Sequence, residues 1–116
     1  MHNRVIGFYP PVLGTEEEFN TFRLGGFYTK HLSPGEEVFL LNEKEKLIFG
    51  RARVQRIETG KLAEMIQAHA ADNHAVLDGE RELAPDRLMA ILTKFYGPHI
   101  ATPTKKTTVV YMRRIE

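Results

Sequence analysis

A chain of 116 residues with 42% apolar and 27% charged side chains can bury about two-thirds of its unfolded surface, which argues for one domain over 1–116 and against disorder. It has no cysteine, which excludes disulfides and thiolate metal sites and fits a reducing cytosol. Net charge is only +1 but uneven: residues 41–60 hold five Lys/Arg against three Asp/Glu, residues 61–92 three against six, and residues 93–116 five against one. A basic set on strands beside an acidic middle hints at an anionic partner on one face.

In chain order, "RVIGFY" (4–9) reads as a short strand stopped by Pro10 and Pro11. The N-terminal stretch lacks the long apolar centre of a secretion signal, and no apolar run approaches the ~20 residues of a membrane helix. A cytoplasmic location is therefore expected. Thr15, followed three residues later by Glu18, reads as a capping box for one or two helical turns. "TFRLGG" (21–26) is extended, with Thr21 and Arg23 on one face and Phe22 and Leu24 on the other. Gly25 and Gly26 then permit a turn or a close backbone approach.

"SPGEE" (33–37) matches a type II turn with Pro34 and Gly35 at its centre. "EVFLL" (37–41) is a continuous apolar run, expected to be covered on both sides. "LIFGRARVQRI" (47–57) alternates and completes a hairpin, with Gly50 as a bulge. The period then changes. Residues 59–77 predict a helix with Leu62, Met65, Ile66, His69, Asn73 and Val76 on one face, and residues 84–97 a second helix started by Pro85 and stopped by Gly97-Pro98. "TTVVYMRRIE" (107–116) predicts a last strand. Several strands without strand–helix alternation favour an α+β arrangement, a small, mostly antiparallel sheet or barrel flanked by two main helices.

The succession "NTFRLGG", "LSPGEEVFLL", "FGRARVQRIETGKLAEM", "LMAILTKFYG" and "TTVVYMRRIE" resembles the ASCH domain, a member of the PUA-like superfamily, over roughly residues 14–116. The resemblance implies a small β-barrel flanked by helices, a cleft between them onto which the Thr-x-Arg segment looks, and RNA or a nucleotide as ligand. Some members resemble amidohydrolases that remove the acetyl group of acetylcytidine with a Lys, a Thr and a Glu. Thr21 matches the Thr. The Lys position holds Glu18, and the Glu position falls on Asn73, with Asp72 adjacent.

The site residues follow from side-chain chemistry. Arg23 offers a five-donor fork for carboxylate, phosphate or a base edge, and Thr21 adds a hydroxyl. Gly25 would let a ligand approach, and Lys30 could reach the cleft from the next segment. The competing reading pairs Arg23 with Glu64 or Asp72. Arg51, Arg53, Lys105 and Lys106 form a nucleic-acid-binding set if the last strand returns beside the hairpin, with Phe27, Tyr28, Tyr96 and Tyr111 as stacking candidates. His69 and His74 are five apart, where ligands on one helical turn need three or four, so no metal is expected. His69 reads as a satisfied core histidine, and no role is assigned to His74 or His99. No phosphate-binding glycine loop or nucleophile elbow is present, and no cofactor is expected. Three functions fit: a module binding RNA or a nucleotide-type ligand, a hydrolase acting on a modified nucleoside or RNA, and a protein-interaction domain. The altered Lys and Glu positions favour the first over the second.

Overall fold

A computed structural model describes residues 4–9, 12 and 15–116. The Pro10-Pro11 strand stop lies outside the described residues. The elements are β1 (Arg4–Phe8), β2 (Glu18–Leu24), α1 (Phe27–His31), β3 (Glu37–Asn42), β4 (Leu47–Lys61), α2 (Leu62–His69), α3 (Ala84–Tyr96) and β5 (Lys106–Arg114), with 3-10 turns at Ala70–Asp72 and Arg81–Leu83. The fold is α+β. One mixed sheet runs in the order β1-β3-β4-β5-β2, with β1 parallel to β3 and the other pairs antiparallel.

Two local expectations meet the structure directly. Pro34 and Gly35 form the centre of a turn in which the Glu36 N–H donates to the Ser33 carbonyl at 3.1 Å, with Gly35 at φ 91°. That positive φ is the reason for glycine there. Helix α3 ends at Gly97, φ 92°, whose N–H donates to the Thr93 carbonyl at 2.8 Å.

Others give way to long-range pairing. Residues 15–17 form a turn and Glu18 opens β2, so the Thr15–Glu18 capping box does not form. A seven-residue ladder with β5 buries Phe19, Asn20, Thr21 and Phe22, and two exposed helical turns offer nothing comparable. The helix expected over 59–77 is Leu62–His69 only. Thr59, Gly60 and Lys61 continue β4 opposite Thr108, Thr107 and Lys106. The chain leaves helix after Asp72 because Asn73 makes a strand bridge to Asn20. In β3, Val38 and Leu40 are buried while Phe39 and Leu41 are partly exposed. That strand is therefore covered fully on one face only. The bulge lies next to Gly50: Leu40 pairs with Gly50 and Leu41 with Ile48, leaving Phe49 extra. A second shift at Gln55 lets this long strand coil and serve two partners.

The sheet separates two cores. Phe22, Val109 and Tyr111 pack on one face against Leu62 and Ile66 of α2 and Leu88 and Leu92 of α3. On the other face Ile6, Phe8, Phe19, Val38, Leu40, Val54, Val110 and Met112 pack on one another. In a flat sheet the two edge strands would stand about 19 Å apart. Here Phe8 of β1 and Phe19 of β2 meet edge to face, with centroids 6.1 Å apart. The sheet therefore curls until its edges face each other. No backbone ladder joins β1 to β2 among the described residues, so the sheet is not closed into the expected barrel.

Candidate functional site

The seam between the two edge strands carries the site. The period-two alternation of β2 sends Phe22 and Leu24 toward the helices and turns Phe19, Thr21 and Arg23 inward. Arg23 lies across the seam. Its Nη2 donates to the Gly7 carbonyl of β1 at 2.7 Å and its Nε donates to Thr21 Oγ1 at 3.2 Å. The guanidinium lies 5.1 Å from the centroid of Phe8 and 5.6 Å from that of Tyr28. Among the described residues it makes no ion pair. Burial draws its pKa below the ordinary arginine value, opposed by Tyr28, Tyr96 and Glu43. It remains a cation, because arginine does not deprotonate in proteins.

Thr21 and Arg23 line a cleft of about 580 Å³, a volume that includes its open mouth. One wall is β1 (Gly7, Phe8, with Tyr9 beyond it). The opposite wall is α3, through Leu88, Ile91, Leu92, Phe95 and Tyr96, and Asn73, His74 and Ala75 close the end. Tyr9 and Phe95, 52% and 56% exposed, meet across the mouth at 5.2 Å between centroids. The cleft is thus an aromatic slot with a fixed cation at its floor.

His74 joins this site without a signal in the sequence. Its Nε2 stands 3.4 Å from Thr21 Oγ1, and its ring meets Phe8 edge-on at 4.9 Å. Thr21 already accepts from Arg23, so its own proton is available to His74. Two buried asparagines hold the segment in place. Asn20 Nδ2 donates to the His69 carbonyl at 2.8 Å, the His74 N–H donates to the Asn20 carbonyl at 3.2 Å, and Asn73 Oδ1 accepts from the Ala75 N–H at 2.9 Å. A continuous helix would have turned His74 away from His69's face. The break after Asp72 is what delivers it to Thr21.

The remaining predicted residues fall elsewhere. Gly25, φ 99°, is a turn residue whose N–H donates to the Lys106 carbonyl at 2.7 Å and whose carbonyl accepts from Thr108 Oγ1 at 2.8 Å. Lys30 is exposed on α1, and neither it nor Gly25 lines the cleft. Arg23 pairs with neither alternative. Asp72 accepts from Tyr111 at 3.3 Å and sits 3.4 Å from Arg81, and Glu64 is exposed on α2 and makes no ion pair among the described residues. Glu18 falls on the strand face opposite Thr21 and reaches Arg113 at 3.8 Å. His69 is part-buried, with Nδ1 2.7 Å from Tyr111 Oη. Because Tyr111 donates to Asp72, His69 donates to Tyr111. Burial lowers the His69 pKa; Glu58 and Asp72 oppose the shift and Arg56 adds to it. His99 is exposed beyond α3. Among the described residues no group of three His, Asp or Glu side chains is placed to hold a metal.

The basic set does not assemble. Arg51 pairs with Glu37 at 2.9 Å and also with Glu116, while Arg53 reaches the other oxygen of Glu37 at 2.9 Å. The Glu116 contact raises the Arg51 pKa further. The last strand does return beside β4, but the register sets Arg53 opposite Arg113 and Lys61 opposite Lys106. The arginines and Lys105–Lys106 therefore lie at opposite ends of β5, about 23 Å apart along the strand. Of the aromatic candidates, Tyr96 lines the cleft and Tyr28 flanks Arg23, whereas Tyr111 is buried beneath Arg56 and Phe27 is 61% exposed on α1.

Among the described residues no helix is long and apolar enough to cross a membrane. No family model matches the sequence, and no curated protein matches it. Among solved structures, the chain is similar to protein EF3133 from Enterococcus faecalis V583, described by the family model DUF984, with a TM-score of 0.61 at 8% identity. The match covers 90% of this chain and 64% of that one, less than two-thirds of the neighbour's length, and it supports the fold alone.

Proposed function

We propose that the chain is an ASCH-like domain of PUA-like, barrel-like curl, located in the cytoplasm, and that its cleft binds a nucleotide-type ligand. The observation that carries this reading is Arg23. A half-buried guanidinium without a carboxylate, set in an aromatic slot, is costly unless a ligand completes its hydrogen bonds. Two of its donors are committed to Gly7 and Thr21, which leaves the rest of the fork for a base edge, carbonyl or phosphate. Tyr9, Phe95 and Tyr96 supply faces on which a planar ring can stack. A single nucleotide unit fits this slot better than a length of RNA fits the divided basic set, so RNA would enter by one nucleotide. The test is titration of purified protein with a panel of nucleobases, nucleosides and nucleotides. Saturable binding weakened by Arg23→Ala supports the reading, and the absence of binding across the panel refutes it.

A second reading, a hydrolase at the same cleft, is favoured by the Thr21–His74 contact. A hydroxyl beside an imidazole and a cation has the composition of an activated nucleophile. Thr21 is only 1% exposed, Glu18 points away and Asn73 cannot exchange a proton. We therefore expect deacetylation of acetylcytidine to be absent or very weak. Rapid turnover, lost in both Thr21→Val and His74→Ala, would overturn that expectation.

A further inference from the structure

The cations of this molecule divide by type. Among the described residues Arg4, Arg51, Arg53, Arg56, Arg81, Arg87 and Arg113 each stand within 4.0 Å of a carboxylate. Of the lysines, only Lys46 does. Four of the others, Lys30, Lys61, Lys105 and Lys106, gather at one end of the sheet.

The register makes this more than a scatter of solvated side chains. Lys61 and Lys106 are direct cross-strand partners in the last rung of the β4–β5 ladder. Paired residues stand about 5 Å apart at Cα, and like charges placed so are destabilising. The Lys106 Nζ lies 3.0 Å from where a side chain on Gly26 would begin, so the ammonium rests beside the Gly26 backbone. Lys105 adjoins this rung, and its carbonyl accepts the first N–H of α2, from Leu62, at 2.9 Å. Helix α1, which carries Lys30, is tied to the same end by the Thr29–Thr108 hydroxyl contact at 2.9 Å. The carboxylates nearest Lys61 along the chain do not answer it among the described residues: Glu58 reaches Arg56 and Glu64 forms no ion pair. A chain that matches a carboxylate to each exposed arginine but opposes two lysines has left this positive field for an external anion.

We propose that this end of the sheet is a phosphate-binding site, in which Lys61 and Lys106 grip a multiply charged phosphate between them and Lys30 and Lys105 add to the field. Lysine suits this role, acting as a point charge toward phosphate where arginine would impose a fork. The phosphate comes either from a free anion or from the nucleotide whose base enters the cleft. Only the second source rests on the cleft reading. Arg23 and Lys106 share the inner face of adjacent strands, Arg23 being paired with Thr108 two residues on, so one ligand can span both.

The experiment is an amide chemical-shift titration of the full chain with pyrophosphate, with a nucleoside monophosphate, and with its parent nucleoside. Pyrophosphate should move the amides of Gly25, Gly26, Lys61 and Lys106 and leave Arg51 and Arg53 still. The Lys61→Gln/Lys106→Gln pair should weaken that binding at least ten-fold, and Lys61→Arg/Lys106→Arg should restore most of it. The nucleoside carries no phosphate and reports on the cleft alone, so failure of the cleft reading is seen separately from the pyrophosphate response at this end. If the monophosphate moves this end and the cleft together while the nucleoside moves the cleft alone, the phosphate is the nucleotide's own. If neither phosphate moves these amides, or the glutamine pair binds both as tightly as the native chain, the proposal is wrong.

Discussion

Arg23 and Arg51 are both strand arginines of one sheet, and they have opposite surroundings. Arg51 lies on the outer face, held between Glu37 and Glu116, with its charge answered by carboxylates. Arg23 lies inward against two aromatic rings, bonded among the described residues to a carbonyl and a hydroxyl. An arginine already paired at the surface contributes little to stability and offers little to a ligand. An unpaired, partly desolvated one forms strong bonds with whatever anion or acceptor reaches it. The difference separates a structural basic surface from a candidate recognition group on the same fold.

The largest expected effect tests what holds the Arg23 region in shape. Phe19 is fully buried and touches Phe8 across the seam. Phe19→Ala should cost about 3–5 kcal/mol of stability by chemical denaturation. Phe39→Ala, at a partly exposed outer-face position, should cost clearly less. Equal losses would mean that the inner cluster does not hold the curl.

Next is the cleft itself. Arg23→Ala should lower ligand affinity by about 1.5–3 kcal/mol, the worth of charge-assisted hydrogen bonding, which is roughly ten- to a hundred-fold by isothermal titration. Arg23→Lys keeps the charge but not the fork, so it should recover only part of the loss. Full recovery would show that Arg23 acts as a charge alone.

A smaller effect belongs to the far side of the asparagine bridge. The folded pKa of His69 is depressed, chiefly by burial. The unfolded chain therefore binds this proton more readily. The His69 contribution to stability is present above the ordinary histidine value of about 6.5 and is lost as pH falls below it. Stability measured between neutral and mildly acidic pH should decline on this account, and His69→Asn should flatten part of the decline. A profile unchanged by that variant would assign the decline to other groups.

What could be read from the sequence was local. The alternation of Thr21 and Arg23 against Phe22 and Leu24 follows from strand period alone, and the Ser33–Glu36 turn and α3 follow from Pro and Gly at fixed positions. What could not be read depended on partners far along the chain. Glu18 resembles a helix cap until β5 is there to pair with it. Thr59 and Gly60 are poor helix formers, a signal that the helix begins later, but only the Thr107–Thr108 rungs make them strand. His74 reaches Thr21 because Asn73 bridges to Asn20, a contact between residues 53 apart. The basic set divided for the same reason: proximity to β4 was legible, and the register along it was not.

The smallest expected effect sharpens the opening comparison. Arg51→Ala and Arg53→Ala should leave ligand affinity within error of the native chain, because their ion pairs lie on the sheet's outer face. The direct test is one titration series with the tightest-binding nucleotide of the panel against the native protein, Arg23→Ala and Arg51→Ala at fixed salt. The account predicts at least a ten-fold loss in Arg23→Ala and none in Arg51→Ala. A loss in Arg51→Ala with Arg23→Ala unchanged would contradict it and move the recognition surface to the outer face of the hairpin.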